Sequence, residues 1–130
     1  MIVADASVLA AALVDEGSAG ALSRERLLVH DVHVPELADV EVLSVVRRRV
    51  LSRQLSVARG ADAMRDYADL DLERYAHLSL LPRAWQLRDT VSAYDAQYVA
   101  LAELLDVALV TADGRLSRAP GPHCQIDLLR

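Results

Sequence analysis

Four carboxylates stand apart from the other acidic residues of this chain: Asp5, Glu41, Asp95 and Asp113. Asp5 directly follows the short apolar run Met1-Ile-Val-Ala4, and Asp113 comes just past the run Leu109-Val110-Thr111. At helical spacing, Glu41 shares a stripe with Leu37, Ser44 and Val45, and Asp95 shares one with Tyr98 and Val99. No cation lies three or four positions from either acid. A carboxylate on an apolar stripe needs compensation from elsewhere, because burying an unpaired charge is costly. A metal ion supplies it, and so would an arginine from a distant part of the chain. If the four converge, they form an acid-rich pocket with oxygen donors only, without His or Cys. That donor set suits the hard cations Mg²⁺ or Mn²⁺ rather than zinc. Such ions keep water and bind substrate phosphates, so the matching reaction is phosphodiester hydrolysis. Water attacks in line, and the charge on the departing oxygen is neutralised.

Each acid also has a plain structural reading. Asp5 serves equally well as a helix N-cap with Ser7 beside it, and Asp113-Gly114 as an ordinary turn pair. Asp95 would be the third residue of a helix capped by Ser92, its carboxylate reaching back to the Ser92 N–H in a variant of the capping box. The chemical reading comes from the set of four, not from any one member.

The elements that would position these groups alternate between strand and helix. Residues 1–4 are too few for a helix and suit a central parallel strand buried on both faces. Residues 6–14 and 18–28 read as helices separated at Gly17, and residues 32–35 as a second strand closed by Pro35. Residues 36–53 contain neither Gly nor Pro and should form the longest helix, while residues 56–70 form another, weakened by Gly60. Residues 72–78 fit strand and helix equally. Residues 80–87 predict a short helix whose first turn tolerates Pro82. Ser92 then caps a buried helix reaching Leu105, in which Ala93, Ala96, Ala100 and Ala102 allow close approach to a neighbour. Residues 107–111 predict a strand, 112–114 a turn, 120–122 a loop and 126–129 a last edge strand. This alternation predicts an α/β domain with a mostly parallel sheet. Ligands of such sheets bind outside the carboxyl ends of the strands, where Asp5 and Asp113 fall.

Composition sets the outer limits. A chain of 130 residues, 53% hydrophobic, reads as one domain with a single core, and one Trp, four Tyr and no Phe make that core aliphatic. The apolar runs are shorter than a membrane span and the N-terminus lacks a signal peptide, so a cytoplasmic protein without membrane contact is expected. The lone Cys124 excludes an internal disulfide and fits a reducing compartment. Net charge is −5, yet all 14 basic residues are Arg, so mechanisms that need a lysine are excluded. An acidic protein still binds nucleic acid where its arginines cluster locally. Arg47, Arg48, Arg49 and Arg53 form one cluster, with Arg115 and Arg118 a second, making Arg47, Arg48 and Arg115 candidate RNA contacts. An exposed helix end favoured by the dipole accounts equally well for the first cluster. His30, His33, His77 and His123 show no ligand spacing and read as loop or surface residues. Trp85 and Tyr67 read as core or dimer contacts, Cys124 as structural, and Glu103 and Asp106 as solvated helix-end charges.

Four segments together resemble the acidic motifs of the PIN-domain ribonucleases, most closely the VapC type, the toxin half of bacterial toxin–antitoxin pairs. They are Met1-Ile-Val-Ala-Asp5-Ala-Ser7-Val8, Pro35-Glu-Leu-Ala-Asp-Val-Glu41, Ser92-Ala-Tyr94-Asp95-Ala-Gln-Tyr98 through Glu103, and Leu109-Val-Thr111-Ala-Asp113-Gly-Arg-Leu116. No single motif is specific, but the ordered set spans essentially the whole chain. The resemblance implies a three-layer α/β/α PIN-like domain and a Mg²⁺- or Mn²⁺-dependent endoribonuclease. In it Asp5, Glu41, Asp95 and Asp113 hold the catalytic metal, and Ser7 or Thr111 supports a ligand carboxylate. It also implies an RNA substrate, a homodimer and a cognate VapB-type antitoxin. Two departures stand out. Ala6 replaces a frequent Thr or Ser, and Arg115 and Ser117 lie where some members carry a further acid, which points to one well-held ion. A receiver domain and a haloacid-dehalogenase-like phosphatase both need a lysine that this chain lacks. A non-catalytic PIN-like RNA-binding or protein-interaction module is the main rival, and a DNA-directed nuclease would use the same site.

Overall fold

The short apolar runs become strands because they are flanked by residues that stop them. In the computed structural model, which describes residues 1–130, β1 (Ile2–Ala4) is wholly buried and gives way to α1 (Ala6–Val14) at Asp5. Next come α2 (Ser18–Val29), β2 (Val32–Pro35) and the 15-residue α3 (Leu37–Leu51), the longest helix as expected. The chain continues through α4 (Val57–Ala68), β3 (Leu72–Tyr75), a 3₁₀ turn (Leu78–Leu80) and α5 (Leu81–Gln86). It ends with α6 (Ala93–Leu105), β4 (Leu109–Thr111), α7 (Gly114–Arg118) and β5 (Ile126–Leu128). Pro82 sits in the first turn of α5. Asp106, at φ 55°, adopts the left-handed conformation that ends α6.

The five strands form one sheet in the order β3-β2-β1-β4-β5, and every pairing is parallel. The chain leaves β1 in one direction to build β2 and β3, then returns past β1 to build β4 and β5. Because such crossovers are right-handed, the reversal sends the helices of the two halves to opposite faces of the sheet, giving three α/β/α layers. Helices α1 to α4 pack on one another, whereas α6 packs on α5 and on β1, β2 and β4. The core is aliphatic, built on Val3, Val8, Leu9, Val34, Val42, Val99, Leu101, Leu109 and Val110, with Tyr98 its largest fully buried side chain. No helix is long and apolar enough to cross a membrane.

Where the sequence left a choice or pointed elsewhere, long-range contacts decide. Residues 72–75 become a strand because Val32 to Pro35 pair with Leu72 to Tyr75 in parallel register. Gly60 was expected to weaken its helix, but it has a packing purpose, since a Cβ there would lie 2.7 Å from a Val50 methyl. It lets α4 lie close against α3. The turn expected at 112–114 continues into the short helix α7, with Asp113 as its N-cap. Trp85 is not a core residue. It is 68% exposed, with the Arg88 guanidinium 4.5 Å from its ring centroid, whereas Tyr67 is buried. His33 is not a loop or surface residue, and His77, in a loop as expected, is tied down rather than free. His33 is buried on β2 with Nδ1 2.7 Å from the Tyr75 hydroxyl, and His77 bridges two helices. Glu103 is not a solvated charge either, since Arg83 grips both its oxygens and the His123 N–H donates to it. Burial pushes the Glu103 carboxyl up, but these three donors outweigh it and leave it below its ordinary value.

Candidate active site

The reversal in strand order falls between β1 and β4, and the crevice beyond their carboxyl ends is where parallel sheets bind ligands. Val3 pairs with Leu109 and Ala4 with Val110, so the next residue of each strand end, Asp5 and Thr111, come level. Asp5, 5% exposed, caps α1 by accepting the Val8 N–H at 3.2 Å. Its two oxygens each receive a hydroxyl at 2.5 Å, Oδ1 from Ser7 and Oδ2 from Thr111. The same hydroxyl oxygens accept backbone N–H groups from the next loop, Ser7 from Ala112 at 2.9 Å and Thr111 from Asp113 at 3.0 Å. Asp113 therefore enters the site on a loop stitched directly to Asp5. Its own carboxylate accepts the Arg115 N–H at 2.9 Å, so it is also the cap that begins α7.

Glu41 lies one turn into α3 and is half-buried. Its Oε1 accepts the hydroxyl of Tyr98 at 2.6 Å, across the gap between α3 and α6. Asp95 sits in the first turn of α6. The Ser92 hydroxyl accepts its backbone N–H at 3.1 Å, but the carboxylate makes no reciprocal bond to the Ser92 N–H, so only half of the expected capping box forms. The small Ala96, Ala100 and Ala102 are buried where α6 meets the sheet.

Asp5, Glu41, Asp95 and Asp113 line one cavity of about 250 Å³, together with Ser7, Tyr98 and Arg48. A neighbouring cavity shares Asp95 and Asp113 and is bounded by Ser92 and Arg115. Arg48 and Arg115 thus flank the acids on two sides. Arg47 is exposed and lines neither cavity, and Arg49 is held by Asp15 at 2.5 Å.

None of the four acids forms an ion pair, although six other carboxylates in the chain do. The carboxyls respond accordingly. Burial raises Asp5, against the pull of Ser7, Thr111 and the Val8 N–H, and the Asp95 charge raises it further. Glu41 is raised by burial and by the charges of Asp95 and Asp5, with Tyr98 opposing. Asp95 is raised by burial and the Asp113 charge, with Ser92 and Arg115 opposing. The pocket is a set of mutually repelling oxygens, which a divalent cation would relieve. No three His, Cys, Asp or Glu side chains draw close enough to make a ready cage. The lining offers carboxylate and hydroxyl oxygens without His or Cys, a donor set that suits Mg²⁺ or Mn²⁺ rather than zinc.

Sequence reasoning missed Tyr98 as the partner of Glu41. The available signal was its position three residues after Asp95, on the same helical face. It also missed Gln97 and His77, whose partners lie 20 to 40 residues away and leave no local pattern.

The PIN domain family model matches residues 2–122. Ribonuclease VapC9 of Mycobacterium tuberculosis is 43% identical over 129 residues, covering 99% of this chain and 98% of that protein. Among solved structures, the fold resembles Mycobacterium tuberculosis VapC20, described as a sarcin-ricin loop cleaving toxin. The TM-score is 0.70 at 16% identity, covering 90% of this chain and 93% of that one. It also resembles VapBC2 of Rickettsia felis, solved bound to a DNA fragment from its promoter, with a TM-score of 0.70 at 12% identity over the whole of both chains. With a family model spanning nearly its full length and a close relative matched end to end, this chain belongs to the PIN domain family.

Proposed function

We propose that this protein is a metal-dependent endoribonuclease that hydrolyses RNA phosphodiester bonds and acts as the toxin of a toxin–antitoxin pair. The observation that carries this reading is the cavity at the strand reversal, which four carboxylates line with no cation of the chain paired to any of them. Asp5, Glu41, Asp95 and Asp113 would hold Mg²⁺ or Mn²⁺. When bound, the ion supplies a nucleophile at neutral pH and charge stabilisation for the phosphoryl oxygens. The chain supplies the rest. Ser7 and Thr111 keep Asp5 aimed, Tyr98 occupies one oxygen of Glu41 and leaves the other free, and Arg48 and Arg115 attract the phosphates on either side of the scissile bond. Of the three expected RNA contacts, Arg47, Arg48 and Arg115, the two that border the cavities, Arg48 and Arg115, carry this proposal.

The similarity to ribonuclease VapC9 and the likeness to VapBC2 support a VapB-type antitoxin as partner. A homodimer is supported by the solvent-facing apolar side chains of Leu78, Leu81 and Trp85 around the start and end of α5. A cytoplasmic location goes with this reading, since the proposed RNA substrate is found there. Asp5 and Asp113 would serve a non-catalytic module as helix caps, but Glu41 and Asp95, raised by burial and by like charges with no cation paired to either, would bring it no such benefit. Incubating the protein with Mn²⁺ and mixed-sequence RNA, and separately with DNA of the same sequence, tests the reading. Cleavage of RNA alone, abolished by EDTA and by Asp95→Asn, is expected. RNA cleavage equal in parent and folded Asp95→Asn would place the chemistry elsewhere, and preferential DNA cleavage would overturn the substrate assignment.

A further inference from the structure

Helix α3, which carries Glu41, has no cap of its own. Its N-cap residue Glu36 is already in the helical conformation and makes no side-chain capping bond. The Asp39 N–H reaches the Glu36 carbonyl at 3.2 Å, but no local capping side chain accepts the N–H groups of Leu37 and Ala38. One of them is satisfied from a distance, because the Leu37 N–H donates to His77 Nε2 at 3.0 Å. His77 lies just beyond β3, is only half-buried, and is not part of the hydrophobic core. Its other ring nitrogen, Nδ1, is 2.9 Å from Gln97 Oε1 on α6. Gln97 is 6% exposed, and its amide nitrogen donates to Ala93 O at 3.2 Å, which turns its oxygen towards the imidazole. The proton positions follow. Nε2 accepts an N–H and so is bare, and the neutral ring carries its proton on Nδ1 and donates it to Gln97.

The geometry assigns His77 as a positioning residue that pins the first turn of α3, one turn before Glu41, to α6 two residues after Asp95. This role rests on the metal-site reading of those two acids. The Tyr98 hydroxyl on Glu41 is the other tie between the same two helices. The Tyr98 bond holds α3 at Glu41 itself and the His77 bond holds the same helix one turn earlier, so the two ties together set the rotation of α3 against α6. Glu41 and Asp95 then face the cavity at a set separation before ion or RNA arrives, as outer partners of metal ligands commonly ensure. His77 touches no reacting atom.

Ring ¹⁵N NMR on the metal-free, unaltered protein reads the tie directly. His77 should be the Nδ1-protonated tautomer, with the Leu37 amide protected from hydrogen exchange. In His77→Ala that protection should vanish, and Mn²⁺ affinity and kcat should each fall about 10-fold with KM for RNA unchanged. His77→Gln, which can present an acceptor near the Nε2 position, should restore most of each. An Nε2-protonated ring would overturn the proposal. So would a folded Ala variant with parental Mn²⁺ affinity and kcat, or a folded Gln variant as impaired as the Ala variant. A parent protein that neither binds Mn²⁺ nor cleaves RNA would instead sink the metal-site reading and this role with it, while the tautomer would still report whether the tie exists.

Discussion

Asp39 and Glu41 stand two residues apart on α3, and each accepts a tyrosine hydroxyl, Asp39 from Tyr67 at 2.7 Å and Glu41 from Tyr98 at 2.6 Å. Beyond the tyrosine their surroundings diverge. Asp39 faces outward to β3, where Arg74 Nε lies 3.0 Å from both its oxygens. Burial raises the Asp39 carboxyl, but Arg74 and Tyr67 outweigh it and the net shift is downward. Glu41 faces Asp5 and Asp95, and burial and those two charges raise it despite Tyr98. An acid with its own arginine is finished as a structural element. An acid with a tyrosine and two like charges is finished only when a cation arrives, and that contrast separates scaffold from site.

The contrast can be broken most forcefully at Asp95. Asp95→Asn should lower RNA cleavage by more than about 100-fold, beyond what losing an outer partner of a metal ligand costs. It should leave the circular dichroism spectrum unchanged, because its backbone N–H keeps the Ser92 cap. The tyrosines provide a matched pair of smaller effect. Tyr98→Phe should cost about 10-fold in kcat and weaken Mn²⁺ binding, whereas Tyr67→Phe should leave both untouched while lowering the melting temperature. Equal effects of the two on kcat would erase the distinction.

Acidity gives a third and milder test. The folded state binds protons at Asp5, Glu41 and Asp95 more tightly than the unfolded chain does, since all three carboxyls are raised from ordinary values of 3.8 for Asp and 4.5 for Glu. Their contribution to stability is therefore fully present below those values and is lost as pH rises through the raised folded ones. Asp39 runs the other way. Its contribution is present above 3.8 and is lost as pH falls through its lowered folded value. Metal-free protein should accordingly become less stable in urea titrations as pH rises above the ordinary carboxyl range, and Mn²⁺ affinity should strengthen over the same interval as protons cease to compete. Asp95→Asn should flatten both trends. The smallest effect is expected at the paired acid itself, where Arg74→Met should cost less than about 1 kcal/mol, because both partners are partly exposed.

The sequence carried the alternation of strands and helices well, because Ile2–Ala4 is an apolar run ending at Asp5 and Leu109–Thr111 is a short run of strand-forming residues two positions before Asp113. It carried Glu41 and Asp95 less securely. The absence of a cation three or four residues away picks out Glu41, but it picks out Asp39 just as readily, and only the packing of β3 beside β2 delivers Arg74 to one and not the other. The same limit explains Glu103, whose Arg83 lies 20 residues back, and the paired histidines, whose acceptors and donors arrive from other elements. Helix α7 escaped because Gly114 after Asp113 reads locally as a turn, and Leu116, buried beneath it, supplies the anchor that extends the turn into a helix. Local chemistry fixes which residues can act, and distant pairing decides which of them are left free to do so.

The hydroxyl bridges around Asp5 bear on how an inert form of this protein should be made. Ser7 and Thr111 each donate a hydrogen bond to Asp5 and accept one from an N–H of the loop that brings in Asp113, so the carboxylate at Asp5 is the keystone of two loops as well as a proposed ligand. A change there removes scaffold and chemistry together, and loss of activity in such a variant says little about either. Asp95, whose side chain holds up no neighbouring backbone, is the cleaner place to silence the protein when the aim is a decoy that still clasps the proposed RNA or antitoxin.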